Sequence, residues 1–237
     1  PALAAGNSVV IKPAETASLS VMRMVALAHE AGLPEGVLNV VTGSGAIAGQ
    51  ALARSMEVDA LAFTGSGGVG RQLMSYAAQS NLKRVFLELG GKSPNLVFSD
   101  CDLDTAISEG VEACFINTGQ SCDAATRMLV ERSVYGRAVE LAQAKCAQMT
   151  VGNPAEPGGH MGPLSSAQQY ARVQEMIEAG IADGARLVAG GPGKPEGFET
   201  GYYARPTIFA DADNAMRIAQ EEIFGPVLVM IPFDSEE

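Results

Sequence analysis

The chain has 237 residues, of which 47% are hydrophobic and 18% charged, which is enough apolar material for the core of one large or two modest domains. Its formal net charge of −11 repels phosphate backbones and argues against nucleic acid as a partner. No apolar run approaches the roughly 18 residues of a membrane-spanning helix, so no membrane partner is expected.

The first half of the chain alternates short apolar runs with segments of helical spacing. Strands are predicted at 8–12, 37–41, 60–63 and 84–89. Helices are predicted at 18–31, at 49–54, and from a glycine-rich turn at 65–70 through residue 78. Strands and helices in this rhythm predict an α/β fold with a parallel sheet.

The second half continues the alternation less regularly. Strands are predicted at 95–98, 128–130 and 186–189, and helices at 103–116, 134–149 and 167–182. A linker rich in glycine and proline covers 152–163, and a loop covers 190–201. A domain boundary is placed at Gly90–Gly91. The chain starts at Pro1 within a run of small residues and ends shortly after a strand-like run, so we expect a piece cut from a longer protein.

The glycine-rich turn matches the pattern G-x-G-x-x-G at Gly65, Gly67 and Gly70. Between a strand and a helix, such glycines let the backbone approach a pyrophosphate at the helix N-terminus. The general dinucleotide rule would then make Glu88, 18 residues after Gly70 (88 − 70), a ribose ligand. A turn that binds nothing is the alternative, because the pattern alone is weak.

Lys12 and Glu15 compete with Glu88 for this role. They flank a proline just after the first strand, where a cation and an acid suit a ribose and its neighbours. Without further context, both are more often plain surface charges.

Cys122 lies in the polar segment Gly119-Gln-Ser-Cys, between a predicted helix and a predicted strand. In such a loop a thiol can be exposed, and backbone N–H groups could stabilise its thiolate for nucleophilic attack. We expect the other three cysteines to be small buried hydrophobes, namely Cys101, Cys114 and Cys146. Because no CxxC pattern is present, no metal site is expected, and a reduced, cytoplasmic compartment is the simplest interpretation.

Glu88 is the only acid in the apolar strand Val85-Phe-Leu-Glu-Leu89. Burial there would raise its pKa toward the range of a general base. A solvated charge at the end of the strand is the other interpretation.

Five motifs, in order along nearly the whole chain, resemble those of the NAD(P)-dependent aldehyde dehydrogenase superfamily. The segment Leu87-Glu-Leu-Gly-Gly-Lys-Ser-Pro94 is similar to its glutamate motif. Gly119-Gln-Ser-Cys-Asp-Ala124, preceded by Phe115 and Asn117, is similar to its cysteine motif, at the family's separation of 34 residues (122 − 88). The other three resemble its adenosine-side, cofactor-turn and nicotinamide-side motifs: PALAAGNSVVIKPAE at 1–15, FTGS at 63–66 and EEIFGPV at 221–227.

The resemblance implies a Rossmann-type parallel-sheet cofactor domain and an α/β catalytic domain, both incomplete, at 1–90 and 91–237. It makes Glu88 the general base and gives the adenosine ribose to Lys12 and Glu15, so the general dinucleotide rule would be wrong here. Glu222 would bind the nicotinamide ribose and Phe224 would pack near the ring. Further cofactor contacts are implied for Gly45, Thr64, Gly65, Ser66, Gly70 and Leu89.

The implied reaction oxidises a small-molecule aldehyde to a carboxylic acid. The thiolate of Cys122 attacks the carbonyl, hydride passes to NAD and leaves a thioester, and Glu88 activates the water that hydrolyses it. The backbone N–H of Cys122 would help to hold the oxyanion. NAD is expected over NADP, because a carboxylate such as Glu15 repels a 2′-phosphate.

Family members carry an oxyanion-hole asparagine in a segment before Pro1 and an oligomerisation element beyond Glu237, and the full-length enzyme is expected to be a homodimer or homotetramer. A truncated, inactive NAD-binding or structural fragment of the same fold is therefore the alternative. A cysteine hydrolase or acyltransferase ranks lower, because it needs a histidine base. Only His29, in an early helix, and His160, in the linker, are present.

Overall fold

A computed structural model describes residues 1–236. The chain divides into two compact units, one spanning Pro1–Leu89 and the other beginning at Gly90. None of the helices within residues 1–236 is both long and apolar enough to cross a bilayer.

The first unit contains two parallel strand pairs. Strand β1 (Val9–Ile11) pairs with β2 (Leu38–Val40), and β3 (Ala60–Gly65) pairs with β4 (Arg84–Leu89). Its helices are α1 (Ser18–Glu30), α2 (Gln50–Arg54) and α3 (Gly67–Ala78), and a π turn at Gly45–Gly49 precedes α2. The predicted α/β rhythm with parallel pairing is confirmed.

Most of the glycine-rich segment is helical, which corrects the predicted turn at 65–70. Strand β3 runs through Gly65 and α3 begins at Gly67, so only Ser66 separates them. The Ser66 hydroxyl oxygen accepts a hydrogen bond from the Val69 N–H at 3.4 Å, as an N-cap residue does. Gly70 is therefore inside the first turns of the helix.

The first unit has few buried apolar side chains, and much of its apolar surface is exposed. The buried ones are Val25, Leu38, Ala53, Leu73 and Ala77. Phe86 on β4 is 57% exposed because it lies on the strand face opposite Val85 and Leu87.

The second unit is built on a five-stranded sheet with helices on both faces. Its strands are β5 (Pro94–Val97), β6 (Arg127–Glu131), β7 (Arg186–Ala189), β8 (Thr207–Ala210) and β9 (Val227–Phe233), in the order β5-β6-β9-β8-β7. All neighbouring pairs are parallel except β7 with β8. Its helices are α4 (Leu103–Phe115), α5 (Arg132–Cys146), α6 (Ala167–Ala182) and the short α7 (Arg217–Gln220).

The central strand β9 divides the core of this unit in two. Leu228 and Met230 pack into the cluster that contains α4 and α5, whereas Val227 and Val229 pack into the cluster that contains α6. Since alternate residues of a strand point to opposite faces, a continuous apolar run serves both layers.

Candidate active site

The first unit contains a cleft that is lined by two of the predicted cofactor residues. Its volume is about 510 Å³, and Lys12, Gly45, Phe63 and Val69 are among the residues that line it. The Glu15 carboxylate accepts a hydrogen bond from the Gly45 N–H at 3.0 Å. Three predicted cofactor residues, Lys12, Glu15 and Gly45, are thus brought together where β1 ends and the π turn begins.

Hydrogen bonds hold this corner in place. The Lys12 ammonium donates to the carbonyl oxygens of Pro13 and Gly43, at 2.5 and 3.1 Å. The backbone N–H groups of Glu15 and Gly45, together with the Lys12 charge, hold the pKa of the Glu15 carboxyl below its usual range. The corner therefore presents a carboxylate beside a lysine, which fits the hydroxyl-rich ribose of a dinucleotide.

The ends of β3 and β4 and the start of α3 hold the other predicted cofactor residues of this unit. Thr64 pairs with Glu88 and Gly65 with Leu89 in the β3–β4 ladder. A Cβ on Gly65 would lie 2.5 Å from the Phe63 ring, and a Cβ on Gly70 would lie 3.0 Å from the Leu89 side chain. A side chain at Gly65 would therefore displace the Phe63 ring, whereas a Cβ at Gly70 would require only a small shift of the Leu89 side chain.

Glu88 is exposed at the second-last position of β4, on the same strand face as Phe86. Of the two interpretations from the sequence, this exposure agrees with the solvated charge at the end of the strand. Its candidacy rests on its place in the motif at 87–94.

Cys122 is exposed in a tight turn between α4 and β6. The Ala124 N–H donates to the Ser121 carbonyl at 3.2 Å and closes the turn around Cys122 and Asp123. Within the described residues the Cys122 N–H donates no backbone hydrogen bond, so it is free to contact a ligand. The turn presents the thiol and a backbone donor from the same residue.

The segment before this turn has an unusual backbone. Asn117, Thr118 and Gly119 all have left-handed φ values, at 50°, 59° and 69°. The Asn117 amide donates to the Gln120 carbonyl at 3.0 Å, and the Thr118 hydroxyl donates to the Gly162 carbonyl at 3.1 Å. Non-glycine residues adopt this conformation at a cost and persist in it only where their surroundings fix it, as these hydrogen bonds do.

Gly119 packs directly on the EEIFGPV segment. A Cβ there would overlap the carbonyl oxygen of Gly225 and lie 2.8 Å from the Pro226 nitrogen. A Cβ added to Gly225 itself would overlap the Val173 side chain of α6. The cysteine motif and the nicotinamide-side motif are therefore in backbone contact.

The two glutamates of that segment have different surroundings. Glu221 forms ion pairs with Arg172 and Arg217, which hold its pKa below the usual range. The Glu222 carboxylate lies against the backbone of Gly90, and burial raises its pKa. Phe224 has a left-handed φ of 57°, and its carbonyl accepts from the Gln169 amide at 2.8 Å.

Lys92 is a feature of this unit that the sequence arguments did not predict. Its amine is buried without a hydrogen-bond partner among residues 1–236. Burial lowers its pKa to about 8, Arg127 acts in the same direction, and Cys114 and Glu222 oppose them. The position of Lys92 in the motif LELGGKSP, directly after two glycines, was the available signal.

The other three cysteines and the two histidines have varied surroundings. Cys114 and Cys146 are buried as predicted, and burial raises their pKa values to about 12 and about 11. Cys101 is exposed in a turn, so the prediction that it is buried was wrong. Both ring nitrogens of His29 face backbone carbonyls, and the His160 Nε2 faces the Asn153 carbonyl at 2.8 Å.

Comparison with known proteins agrees with the resemblance. The family described as "Aldehyde dehydrogenase family" matches residues 1–237. A 3-succinoylsemialdehyde-pyridine dehydrogenase of Pseudomonas sp is 48% identical over 236 residues, which are 100% of this chain and 49% of that protein. Retinal dehydrogenase 2 of Homo sapiens is 46% identical over 98% of this chain and 44% of its own length.

A solved structure agrees with the fold. A cysteine-to-alanine mutant of aldehyde dehydrogenase C from Pseudomonas syringae, complexed with NAD+ and octanal, matches with a TM-score of 0.97 and 47% identity. The match covers 99% of this chain and 48% of that one. The chain spans about half the length of the relatives that it matches. With five motifs in order, a family match over the whole chain and this agreement in fold, the chain belongs to the aldehyde dehydrogenase family.

Proposed function

We propose that this chain forms the part of an NAD-dependent aldehyde dehydrogenase that carries the catalytic nucleophile and the general base. Residues 1–90 are assigned to the NAD-binding domain and 91–237 to the catalytic domain. The observation that carries the proposal is the exposed thiol of Cys122, on a turn that follows the backbone contact of Gly119 with the EEIFGPV segment.

The reaction begins at Cys122. Its thiolate adds to the aldehyde carbonyl and forms a thiohemiacetal, whose oxyanion accepts a hydrogen bond from the Cys122 N–H. Loss of a hydride from the former carbonyl carbon leaves a thioester on the sulfur. Glu88 takes a proton from water, and the resulting hydroxide attacks the thioester, releases the carboxylic acid and restores the thiol.

NAD, when bound, supplies the hydride acceptor. Lys12 and Glu15 are proposed to bind the adenosine ribose, because their corner fits vicinal hydroxyls. Glu222 is proposed to bind the nicotinamide ribose, and Phe224 to pack near the ring. The remaining proposed contacts are Gly45, Thr64, Gly65, Ser66, Gly70 and Leu89.

Three findings support NAD and an aldehyde as ligands. The cleft in the first unit is lined by Lys12 and Gly45, which were predicted from the sequence. The Glu15 carboxylate is held beside them. The Pseudomonas syringae relative was solved with NAD+ and octanal. A cytoplasmic location and a homodimeric or homotetrameric state are proposed for the full-length enzyme.

The test uses the full natural protein that contains this sequence. Cys122→Ala should abolish NADH formation from a panel of aldehydes and leave NAD affinity, measured by calorimetry, unchanged. Cys101→Ser, which removes the other exposed thiol, should retain activity. Turnover by Cys122→Ala would refute the role of Cys122 as nucleophile.

Glu88→Gln tests the base. If Glu88 activates water, the variant should release a first equivalent of NADH and then turn over slowly, because the thioester accumulates. Unchanged steady-state rates would contradict this role. A protein that binds NAD but oxidises no aldehyde would instead be a catalytically inactive NAD-binding protein of the same fold.

A further inference from the structure

Asp123 follows the reactive cysteine and is held in place by the residue that precedes it. The Ser121 hydroxyl donates to the Asp123 carboxylate at 2.5 Å. Because the turn closed by Ala124 and Ser121 brings residues 121 and 123 together, this contact bridges Cys122. A carboxylate is therefore held on the same turn as the thiol and does not sample the full range of a loop side chain.

The charge of Asp123 is not neutralised by a partner in the second unit. Arginine and lysine side chains form ion pairs elsewhere on this unit, including Arg172 with Glu221 and Arg186 with Asp211, but Asp123 forms none with residues 90–236. Asp123 is exposed. A molecule that approaches the Cys122 sulfur therefore meets a negative charge one residue away, weakened by solvent screening.

We propose that Asp123 is a specificity-determining residue that favours aldehydes with a cationic group a few carbons from the carbonyl and disfavours those with a carboxylate there. This rests on the proposed role of Cys122 as nucleophile. A charge near the reacting carbon acts on the bound substrate and on the transition state alike. Asp123 would therefore change which aldehydes the protein prefers, and would not change the rate for all aldehydes.

The direct test measures charge selection at the sulfur without cofactor or aldehyde. In the full natural protein, the rate at which Cys122 is modified is followed by peptide mass spectrometry with two methanethiosulfonate reagents, one carrying a trimethylammonium and the other a sulfonate. In Asp123→Asn the ratio of the cationic to the anionic rate should fall by about fivefold, and in the native protein this ratio should shrink as salt is added.

Glu178→Gln is the matched control, because it removes one exposed negative charge from α6 and should leave the ratio unchanged. The ratio also separates charge selection from thiol reactivity. If Asp123→Asn changes both rates by the same factor, Asp123 alters the reactivity of the thiol and the proposal is wrong. If neither rate changes, the proposal is wrong as well.

The substrate test compares kcat/KM for 3-aminopropanal, butanal and succinic semialdehyde. Asp123→Asn should lower the preference for the amine over the carboxylate severalfold and change butanal least. If native protein oxidises none of the three while the labelling ratio behaves as expected, the dehydrogenase proposal fails and the charge selection stands. If oxidation occurs and neither ratio responds to Asp123→Asn, only this inference fails.

Discussion

Glu222 lies where a side chain of Gly90 would be. A Cβ added to Gly90 would overlap both carboxylate oxygens of Glu222. Gly90 comes two residues after Glu88, and Glu222 lies 132 residues further along the chain (222 − 90). The absence of one side chain therefore determines where the carboxylate of the EEIFGPV segment can lie.

This relationship predicts different outcomes for two adjacent glycines. Gly90→Ala should push the Glu222 carboxylate aside and weaken NAD binding by roughly tenfold, the value of about one charge-assisted hydrogen bond. Gly91→Ala should bind NAD normally, because an added Cβ there meets nothing within 4 Å. Calorimetric titration of both variants with NAD provides the measurement. Equal affinities would show that Glu222 does not bind the cofactor.

General sequence rules predict the fold class but leave two acids, Glu15 and Glu88, as candidates for the ribose ligand. The G-x-G-x-x-G pattern correctly located a strand-to-helix junction, yet the structure places Gly67 and Gly70 inside α3. The rule for a ribose acid pointed to Glu88, whereas the carboxylate held beside the cleft is Glu15. The motifs KPAE and LELGG distinguish these two acids. The number of residues between an acid and the glycine-rich turn does not, because it carries no information on which strand end faces the cleft.

The contact between Gly119 and Gly225 predicts a loss of stability. Gly119 has a φ of +69°, which disfavours any side chain, and its Cβ would overlap a backbone carbonyl that cannot move independently. Gly119→Ala should therefore lower the free energy of unfolding by about 2 kcal/mol or more. Urea unfolding followed by circular dichroism measures this change.

Gly136→Ala is the control, for which the free energy of unfolding should change in the opposite direction. Gly136 is exposed inside α5 and an added Cβ meets nothing within 4 Å. Because glycine is less favourable than alanine in a helix, this change should raise the free energy of unfolding by about 1 kcal/mol. Two glycine-to-alanine changes with the same sign would mean that the Gly119 contact is not tight in solution.

Two local features could not be predicted from the sequence because they depend on long-range contacts. The left-handed backbone at Asn117 and Thr118 depends on partners far along the chain, such as the Gly162 carbonyl. Strand β8 has only four residues and no alternating pattern, because all of them are buried. Periodicity detects a half-buried strand, and it fails for a short one in the middle of a sheet.

Lys92 predicts a dependence of stability on pH. Burial, together with Arg127, lowers its pKa from 10.5 to about 8, so the unfolded chain binds the proton more tightly than the folded one. The destabilisation is fully present below pH about 8 and is lost as the pH rises toward 10.5. Lys92→Met should thus be more stable than the native protein by on the order of 2 kcal/mol at pH 7, with a difference that shrinks at alkaline pH.

Denaturant titrations of both proteins between neutral and alkaline pH test this. The buried thiols Cys114 and Cys146, whose raised pKa values make the folded state less stable at alkaline pH, are present in both proteins, and the difference removes the contribution of Cys146. Because Cys114 interacts with Lys92, the difference reports Lys92 together with that interaction. A difference that stays constant with pH would show that the amine has a partner in solution.

Glu15 predicts the choice between NAD and NADP. Hydrogen bonds from backbone N–H groups keep its carboxyl ionised, and the Gly45 N–H fixes its position. Since a 2′-phosphate would face this charge, the native protein should bind NAD more tightly than NADP. Glu15→Gln keeps an oxygen acceptor for Gly45 but removes the charge, so the ratio of the two dissociation constants should move toward one by about tenfold. Glu30→Gln, which removes an exposed charge from α1, should leave the ratio unchanged. Equal affinity of the native protein for both cofactors would contradict the assignment of Glu15 to the adenosine ribose.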